Sequence, residues 1–204
     1  MQEIIEEKFR EWTAGLSQEE SRIRIFEEIR DIPYAIFYDQ LNLANGPSAM
    51  LRRKKGSCAP KHYLLGMMYE KLGIDVHYGT YSFKWDELDV VYPDLLRDLA
   101  DKLPVTYHLA CKAFIDEKWV LIDATWDRAV KHAGFLVNDD WDGQEDTTLA
   151  VKSVEEFIHE DARLRDEFFR EKMAGYTLPE KLELSRFSGE FNKWLKELRN
   201  PRKK

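Results

Sequence analysis

The chain has 204 residues, of which 44% are hydrophobic and 34% are charged, and its net charge is −7 at pH 7. This length and balance favour one folded domain with a single core and argue against a disordered or low-complexity chain. An acidic chain repels nucleic-acid phosphates, so we expect no nucleic-acid partner.

The sequence has no window approaching about 18 uncharged apolar residues, and it starts acidic where a secretory signal would be basic and then apolar. The two cysteines, Cys58 and Cys111, are too few for a disulfide framework. We therefore expect a cytoplasmic protein with no membrane partner. We expect the basic run at 52–55 to be a solvated loop or helix end, and the basic tail at 202–204 to be a frayed end.

Two helices are well marked. Ser17 and Glu20 form a capping box, and the apolar residues that follow recur at helical spacing, which predicts a helix to about residue 30. From Cys58 an apolar stripe runs to Leu72, with a proline in the first turn and Gly73 just past the end. This second segment is the best-marked helix in the chain.

The middle of the chain has the alternation of β-strands. A strand is predicted at 74–83, and two further runs at 104–115 and 118–125 are separated by two acidic residues. The short separation predicts an antiparallel hairpin. An acidic insertion between the first two strands predicts a short helix at 93–100.

The last fifty residues are predicted to be helical. Ser153 and Glu156 repeat the capping-box pattern, which predicts a helix at 153–172, and a second helix is expected at 188–199. There is no internal repeat and no Gly/Ser-rich linker. We expect residues 1–150 to form the core with its N-terminal helices, and residues 151–204 to form a helical extension packed on the same domain.

Cys58 is the candidate nucleophile. A thiol attacks carbonyl carbon as the thiolate, and the free N–H groups and dipole of a helix N-terminus stabilise that form. The same N–H groups can donate to an oxyanion. The alternative is that Cys58 is a small buried hydrophobic residue. An activated thiol also needs a base and a group that orients the base.

His108 and Asp123 supply that base and carboxylate if the hairpin turn has two residues. Ile115 then faces Lys118, Ala110 faces Asp123, and His108 becomes a diagonal neighbour of Asp123 at roughly 7–8 Å between Cα atoms. A turn one residue longer sends the two side chains to opposite faces. Asp123 also lies in an apolar run, where an ionised carboxylate is costly without a partner. The alternative is a strand-end carboxylate facing water.

Three motifs, each weak alone, occur in order and carry a family resemblance. They are Lys55-Gly56-Ser57-Cys58 before an apolar helix, Tyr107-His108 in a strand, and Trp119-Val120-Leu121-Ile122-Asp123-Ala124-Thr125-Trp126. Together they resemble the core of the transglutaminase-like superfamily over about residues 30–130. The resemblance implies an α+β fold in which Cys58 starts a helix packed on an antiparallel sheet and His108 and Asp123 lie on neighbouring strands, the papain-like arrangement.

The chain departs from the family next to two of these motifs. Leu109-Ala110-Cys111 follows the histidine, where the family often has Ala-Trp and an acidic residue. Ala59-Pro60-Lys61-His62 follows the cysteine, where an acidic or aromatic residue is common. The triad is intact, and the substrate class is open. The Arg-Gly-Gly-x-Cys signature of arylamine acetyltransferases is absent, and two cysteines cannot supply the zinc site usual in peptide N-glycanases.

Other residues near these motifs have candidate roles. The resemblance implies a side-chain oxyanion donor upstream of the cysteine. The amides available are Gln40, Asn42 and Asn45. Gln40 is preferred. His62, one helical turn after Cys58, is a rival base, although no strand carboxylate orients it. Cys111 should face away from His108 and pack in the core. The aromatic residues that are candidates for a cleft wall or for the core are Tyr34, Tyr38, Tyr78, Tyr81, Trp85 and Trp126.

The function expected from these features is cysteine-dependent acyl transfer on an amide or ester through a thioester on Cys58, with His108 shuttling the proton and Asp123 orienting the imidazole. Family analogy favours hydrolysis of a peptide, protein or small amide over protein crosslinking. No cofactor and no metal is required. The rival hypothesis is a non-catalytic protein-binding module that retains the fold, with the insertion at 85–102 and the C-terminal helices as its partner surface. The sequence leaves the oligomeric state open.

Overall fold

The computed structural model describes residues 2–200, whose strands form one four-stranded antiparallel sheet. The strands are β1 (Val76–Phe83), β2 (Thr106–Ile115), β3 (Lys118–Ile122) and β4 (Glu155–His159), in the order β3-β2-β1-β4. The helices are α1 (Gln2–Thr13), α2 (Gln18–Arg30), α3 (Gly46–Arg53), α4 (Cys58–Lys71), α5 (Asp94–Ala100), α6 (Ala162–Ala174) and α7 (Leu178–Arg199). The basic tail at 202–204 lies outside the described residues.

Helices cover both faces of the sheet. Leu109 and Cys111 of β2 pack into a core with α2, α3 and α4, whereas Ala110 between them packs into a second core with α5 and α7. This alternation follows from the two-residue period of a strand. Because both faces are covered, β1 is buried along most of its length.

Helix α4 lies directly against the sheet. It begins at Cys58 and ends at Lys71, and Gly73 just beyond it takes a left-handed conformation with φ of +77°. A Cβ at Gly66 would lie 2.0 Å from the hydroxyl of Tyr78 on β1, so only glycine permits this close approach. The predicted helix is therefore confirmed, and its first residue is held at a defined place beside β2.

The hairpin between β2 and β3 has the predicted two-residue turn. Asp116 and Glu117 both have positive φ, 48° and 65°, as a type I′ turn requires. The pairing runs from Ile115 opposite Lys118 to Cys111 opposite Ile122, which confirms the predicted register. Strand β3 then ends, so that Asp123 follows it immediately and the first half of β2 extends past it.

The predicted helix at 153–172 is wrong in its first part and confirmed from residue 162. Residues 155–159 form β4, which pairs with β1, and α6 begins only after Asp161, whose side chain accepts the Leu164 N–H at 2.8 Å. The Ser153 hydroxyl donates to the Ser82 carbonyl at 3.0 Å instead of capping a helix. The free edge of β1 offers unpaired backbone groups, and pairing with them overrides a local capping signal.

The last helix is longer than the predicted 188–199. A capping box between Thr177 and Glu180 starts α7 at Leu178, and the helix continues to Arg199. None of the helices within residues 2–200 combines the length and the apolar character that a membrane crossing requires.

Candidate active site

Cys58 occupies the first turn of α4. Ser57 before it has an extended backbone, with φ of −89° and ψ of −174°, and its side chain makes no capping hydrogen bond. The thiol is half-buried. Cys58 is thus placed in the positive field of a helix N-terminus, where a thiolate is favoured over a thiol.

His108 and Asp123 form a buried hydrogen-bonded pair. Nε2 of His108 lies 2.8 Å from Oδ2 of Asp123, and both side chains are at most 2% exposed. The carboxylate also accepts the backbone N–H groups of Thr125, at 3.0 Å, and Ala150, at 2.8 Å. Burial raises the pKa of the Asp123 carboxyl, but the charge and hydrogen bond of His108 outweigh it, so the pKa lies well below its usual value. Asp123 is therefore ionised.

The bond to Asp123 leaves the other ring nitrogen of His108 free, and Cys58 lies close enough to His108 for each group to shift the pKa of the other. Burial raises the pKa of Cys58, but the charge of His108, with the backbone N–H of Leu109, brings it below its usual value. Burial lowers the pKa of His108, but the charges of Asp123 and Cys58 outweigh it and raise the pKa to about 10. These opposite shifts favour a thiolate beside an imidazolium.

The structure thus brings three of the sequence-predicted residues together from three different elements. Cys58 comes from the start of α4, His108 from β2 and Asp123 from the segment after β3. Because β3 ends at Ile122, the backbone N–H of Leu109 has no β3 partner and is available to the thiol.

His62 lies next to these three residues, but both of its ring nitrogens bond to the backbone. One ring nitrogen, Nδ1, is 2.9 Å from the Cys58 carbonyl oxygen, and Nε2 is 2.9 Å from the Ala124 amide nitrogen. Since an amide N–H only donates, Nε2 carries no proton and Nδ1–H donates to the carbonyl. Burial lowers the pKa of His62 to about 4. Both nitrogens are used by the backbone, which does not support His62 as the rival base.

Lys61 links helix α4 to the segment that follows β3. It is fully buried, and its Nζ donates to the carbonyl oxygens of Arg30 and Thr125 at 2.8 Å each. Burial lowers the pKa of Lys61 to about 7. Together with His62, Lys61 fixes residues 124–125 against α4, the helix that begins at Cys58. A lysine among apolar helical residues could have indicated a buried charge, but the sequence analysis assigned no role to Lys61.

Gln40, the preferred oxyanion donor, has a fully buried side chain, and neither atom of its amide has a hydrogen-bond partner among residues 2–200. It is not among the residues that line the cavity beside Cys58. Tyr34 does line that cavity. Burial, followed by the nearby charge of Cys58, raises the pKa of the Tyr34 hydroxyl well above its usual value, so the group stays protonated.

The position of Tyr34 is held on both sides of its backbone. The Tyr34 N–H donates to Asp127 Oδ2 at 2.8 Å, and Arg199 at the end of α7 donates to the Tyr34 carbonyl at 3.0 Å. Arg199 also pairs with the Asp127 carboxylate, which is itself buried. The Tyr34 ring packs on Trp126 with centroids 4.3 Å apart.

Cys111 packs in the core, as predicted, and its thiol donates to the His62 carbonyl at 3.3 Å. Burial raises the pKa of Cys111 well above its usual value, so it remains a thiol. Within residues 2–200 no group of three or more His, Cys, Asp or Glu side chains is arranged to hold a metal ion.

A cavity of about 80 Å³ lies beside Cys58 and His108. Of the aromatic residues considered in the sequence, Tyr34, Tyr38, Trp85 and Trp126 line it. Tyr78 packs instead against Gly66, and the Tyr81 hydroxyl donates to Glu156 at 2.8 Å. The C-terminal helices also contribute to the lining, with Phe169 and Met173 from α6, and Leu184, Phe187 and Ser188 from α7, none of which the sequence suggested.

No family model and no curated protein matches this chain. Among solved structures, a "Putative Cysteine Protease" from Cytophaga hutchinsonii matches with a TM-score of 0.42 and 17% sequence identity. The match covers 61% of this chain and 37% of that one, so the chain spans well under half the length of that protein. A likeness of this strength carries no weight for function, which is argued below from the site itself.

Proposed function

We propose that this protein is a cysteine-dependent acyl-transfer enzyme of the transglutaminase-like type, which acts on an amide or ester through a thioester on Cys58. The observation that carries the proposal is the buried hydrogen bond from His108 to Asp123 with Cys58 beside the same imidazole, an arrangement in which the pKa of the thiol is lowered and that of the imidazole is raised. A binding module has no need of a thiol activated in this way.

The reaction has two steps. The Cys58 thiolate adds to the carbonyl carbon, the S–C bond forms, and the bond from carbon to the leaving nitrogen or oxygen breaks as His108 gives its proton to the leaving group. Water then adds to the thioester and gives a proton to His108, the S–C bond breaks, and the acid leaves with the thiolate restored. Asp123 stays ionised and holds the imidazole in place.

The oxyanion formed in each step needs donors. The backbone N–H groups at the start of α4 are candidates because Ser57 does not cap them. The Tyr34 hydroxyl is the side-chain candidate, since it lines the same cavity, stays protonated and has a backbone fixed by Asp127 and Arg199. Tyr34 is thus proposed as a second side-chain candidate beside Gln40, whose buried amide has no hydrogen-bond partner among residues 2–200.

Water is the acceptor that we propose. Family analogy favours hydrolysis of a peptide or other amide over protein crosslinking.

The test is the rate of iodoacetamide labelling of Cys58 between pH 5 and pH 9, in a Cys111→Ser background. At pH 6 we expect labelling at least about tenfold faster than that of a free thiol, whose pKa of about 8.5 leaves little thiolate there. The excess should disappear in His108→Ala and persist in His132→Ala, a matched change at an exposed histidine. Slow labelling in every chain contradicts the proposal and favours the binding module.

A further inference from the structure

Arg165 on α6 is a fully buried arginine that forms no ion pair among residues 2–200. Its Nε donates to Thr80 Oγ1 at 3.3 Å, its Nη1 donates to the Tyr63 hydroxyl at 2.9 Å, and its Nη2 has no hydrogen-bond partner among these residues. A guanidinium keeps its proton in a protein, so this side chain carries a full positive charge away from water. A buried charge is costly unless an anion lies close to it, so Arg165 needs an anion.

Four titratable groups near Arg165 leave its charge without a partner. Burial raises the pKa of Tyr63 on α4 to about 12, and burial lowers the pKa of His159 on β4, so both groups are neutral at pH 7. On α6 itself, the Asp161 side chain caps the helix by accepting a backbone N–H of the first turn. Asp166 pairs with an exposed arginine one turn further along the helix. The anion must therefore come from another part of the molecule.

The contacts of Arg165 place its charge close to Cys58. Thr80, which binds Nε of the guanidinium, is the partner of Leu109 in the β1–β2 pairing, and the Leu109 N–H is available to the Cys58 thiol. Paired residues of neighbouring strands lie about 4.5–5.5 Å apart at Cα. The guanidinium also packs on the ring of Phe169, at 4.5 Å from its centroid, and Phe169 lines the cavity beside the thiol. Arg165 is therefore held next to the residues that surround the thiol.

A Cys58 thiolate is the anion that this placement favours. Burial raises the pKa of the thiol, and the positive charges of His108 and Arg165 are among the causes that lower it. The second thiol near Arg165, Cys111, stays protonated because burial raises its pKa well above the usual value. Since the guanidinium and the thiolate are both removed from water, solvent and salt screen their attraction only weakly.

We infer that Arg165 is a positioning residue of the acyl-transfer reaction, which acts through Cys58 by stabilising the negative charge of its sulfur. Thr80 and Tyr63 fix the guanidinium, so its charge needs no reorganisation when the thiolate forms or is released from the thioester. The inference rests on the proposed function, because only a sulfur that reacts as a thiolate has a use for this charge. Helix α6, which the sequence resemblance does not cover, thereby takes part in the chemistry of the site.

The test is the pH dependence of iodoacetamide labelling of Cys58 in Arg165→Met, measured from pH 5 to pH 9 in the Cys111→Ser background. We expect the labelling rate at pH 6 to fall about tenfold and the rate at pH 9 to stay within about twofold of wild type, because the thiolate still forms at high pH. Arg165→Lys keeps a positive charge and should recover most of the rate at pH 6. Arg163→Met, at an exposed position of the same helix, is the matched control and should leave the whole profile unchanged.

A milder pair of variants tests the same charge without removing it. Tyr63→Phe deletes the hydroxyl that holds Nη1 of Arg165, so the guanidinium is less well fixed and labelling at pH 6 should slow by about threefold. Tyr69→Phe deletes a buried hydroxyl elsewhere on α4, which donates to the Arg22 carbonyl at 2.8 Å, and should leave the profile unchanged. If circular dichroism shows that Arg165→Met does not fold, an unchanged profile in Tyr63→Phe overturns the role of Arg165.

The outcomes separate this inference from the proposed function. Suppose that labelling of the wild-type chain is rapid and depends on His108, but stays equally rapid at pH 6 in Arg165→Met. The role of Arg165 is then overturned and the proposed function stands. Equal losses in Arg165→Met and Arg165→Lys, or a loss at pH 9 as large as that at pH 6, indicate a structural role alone and also overturn it. Slow labelling of the wild-type chain at every pH overturns both proposals.

Discussion

Two buried histidines lie beside the same carboxylate, yet their protonation differs. Nε2 of His108 is 2.8 Å from Asp123 Oδ2, and the pKa of His108 is raised to about 10. Nε2 of His62 is 3.7 Å from Asp123 Oδ1, and its pKa is lowered to about 4. Since both rings are buried, burial alone cannot explain the difference.

The partners of the two rings explain it. His108 meets an anion on each side, Asp123 and the thiolate of Cys58, so a second proton on the ring is stabilised twice. His62 accepts the Ala124 N–H, and a proton on that nitrogen would replace the hydrogen bond with a repulsive contact between two donors. Their partners therefore keep His108 charged, as its proposed catalytic role requires, and keep His62 neutral in contact with the backbone.

The largest expected effect is the difference in protonation between the His108 ring and the His62 ring. At pH 7.5 the imidazole ¹⁵N spectrum should show His108 with protons on both nitrogens and His62 neutral, with its proton on Nδ1. His108→Gln and His62→Leu each remove one set of signals and provide the assignment. A neutral His108 at this pH would remove the basis of the comparison.

The next effect follows from loss of the shared carboxylate. In Asp123→Asn, the largest favourable charge on His108 is gone, so the pKa of His108 should fall and His62 should stay neutral. Iodoacetamide labelling of Cys58 at pH 6 should then slow by about tenfold or more, because the thiolate loses its cationic partner. An equal change at an exposed aspartate, Asp94→Asn, is the control and should leave the rate unchanged.

A smaller effect is expected when the positioning histidine is removed. His62→Leu leaves the Ala124 N–H buried without its acceptor, which should lower the free energy of unfolding by about 1–3 kcal/mol in urea denaturation. The pH dependence of Cys58 labelling should keep its shape, since His62 is neutral throughout. If His62→Leu abolished the rapid iodoacetamide labelling of Cys58 below pH 7, His62 would be the base.

The raised pKa of His108 also makes the stability of the protein depend on pH. The folded-state pKa of His108 is about 10, above the unfolded value of about 6.5, so its stabilising contribution is complete below pH 6.5 and is lost as the pH rises toward 10. The difference in Tm between the wild-type chain and His108→Gln should therefore shrink over this range. Lys61 titrates over the same range in both chains, so its contribution cancels in the difference. A constant difference across this range contradicts the raised pKa.

Local sequence patterns were enough to predict two helices and one long-range pairing. The capping box, the apolar stripe from Cys58 and the terminal glycine predicted α2 and α4 because each signal lies within a few residues of the structure it stabilises. The hairpin register was predictable because a two-residue turn leaves one pairing, and that pairing puts His108 and Asp123 on the same face.

The rest of the site depends on contacts between segments that are far apart in the chain. Tyr34 is placed by Arg199, which lies 165 residues away in the chain, and the cavity wall comes from two C-terminal helices. The strand at 155–159 exists because β1 offers a free edge, although the local sequence favours a helix. The roles of His62 and Lys61 depend on backbone groups more than 60 residues away in the segment after β3. A local pattern cannot encode such contacts, because their energy arises only when distant segments are buried together.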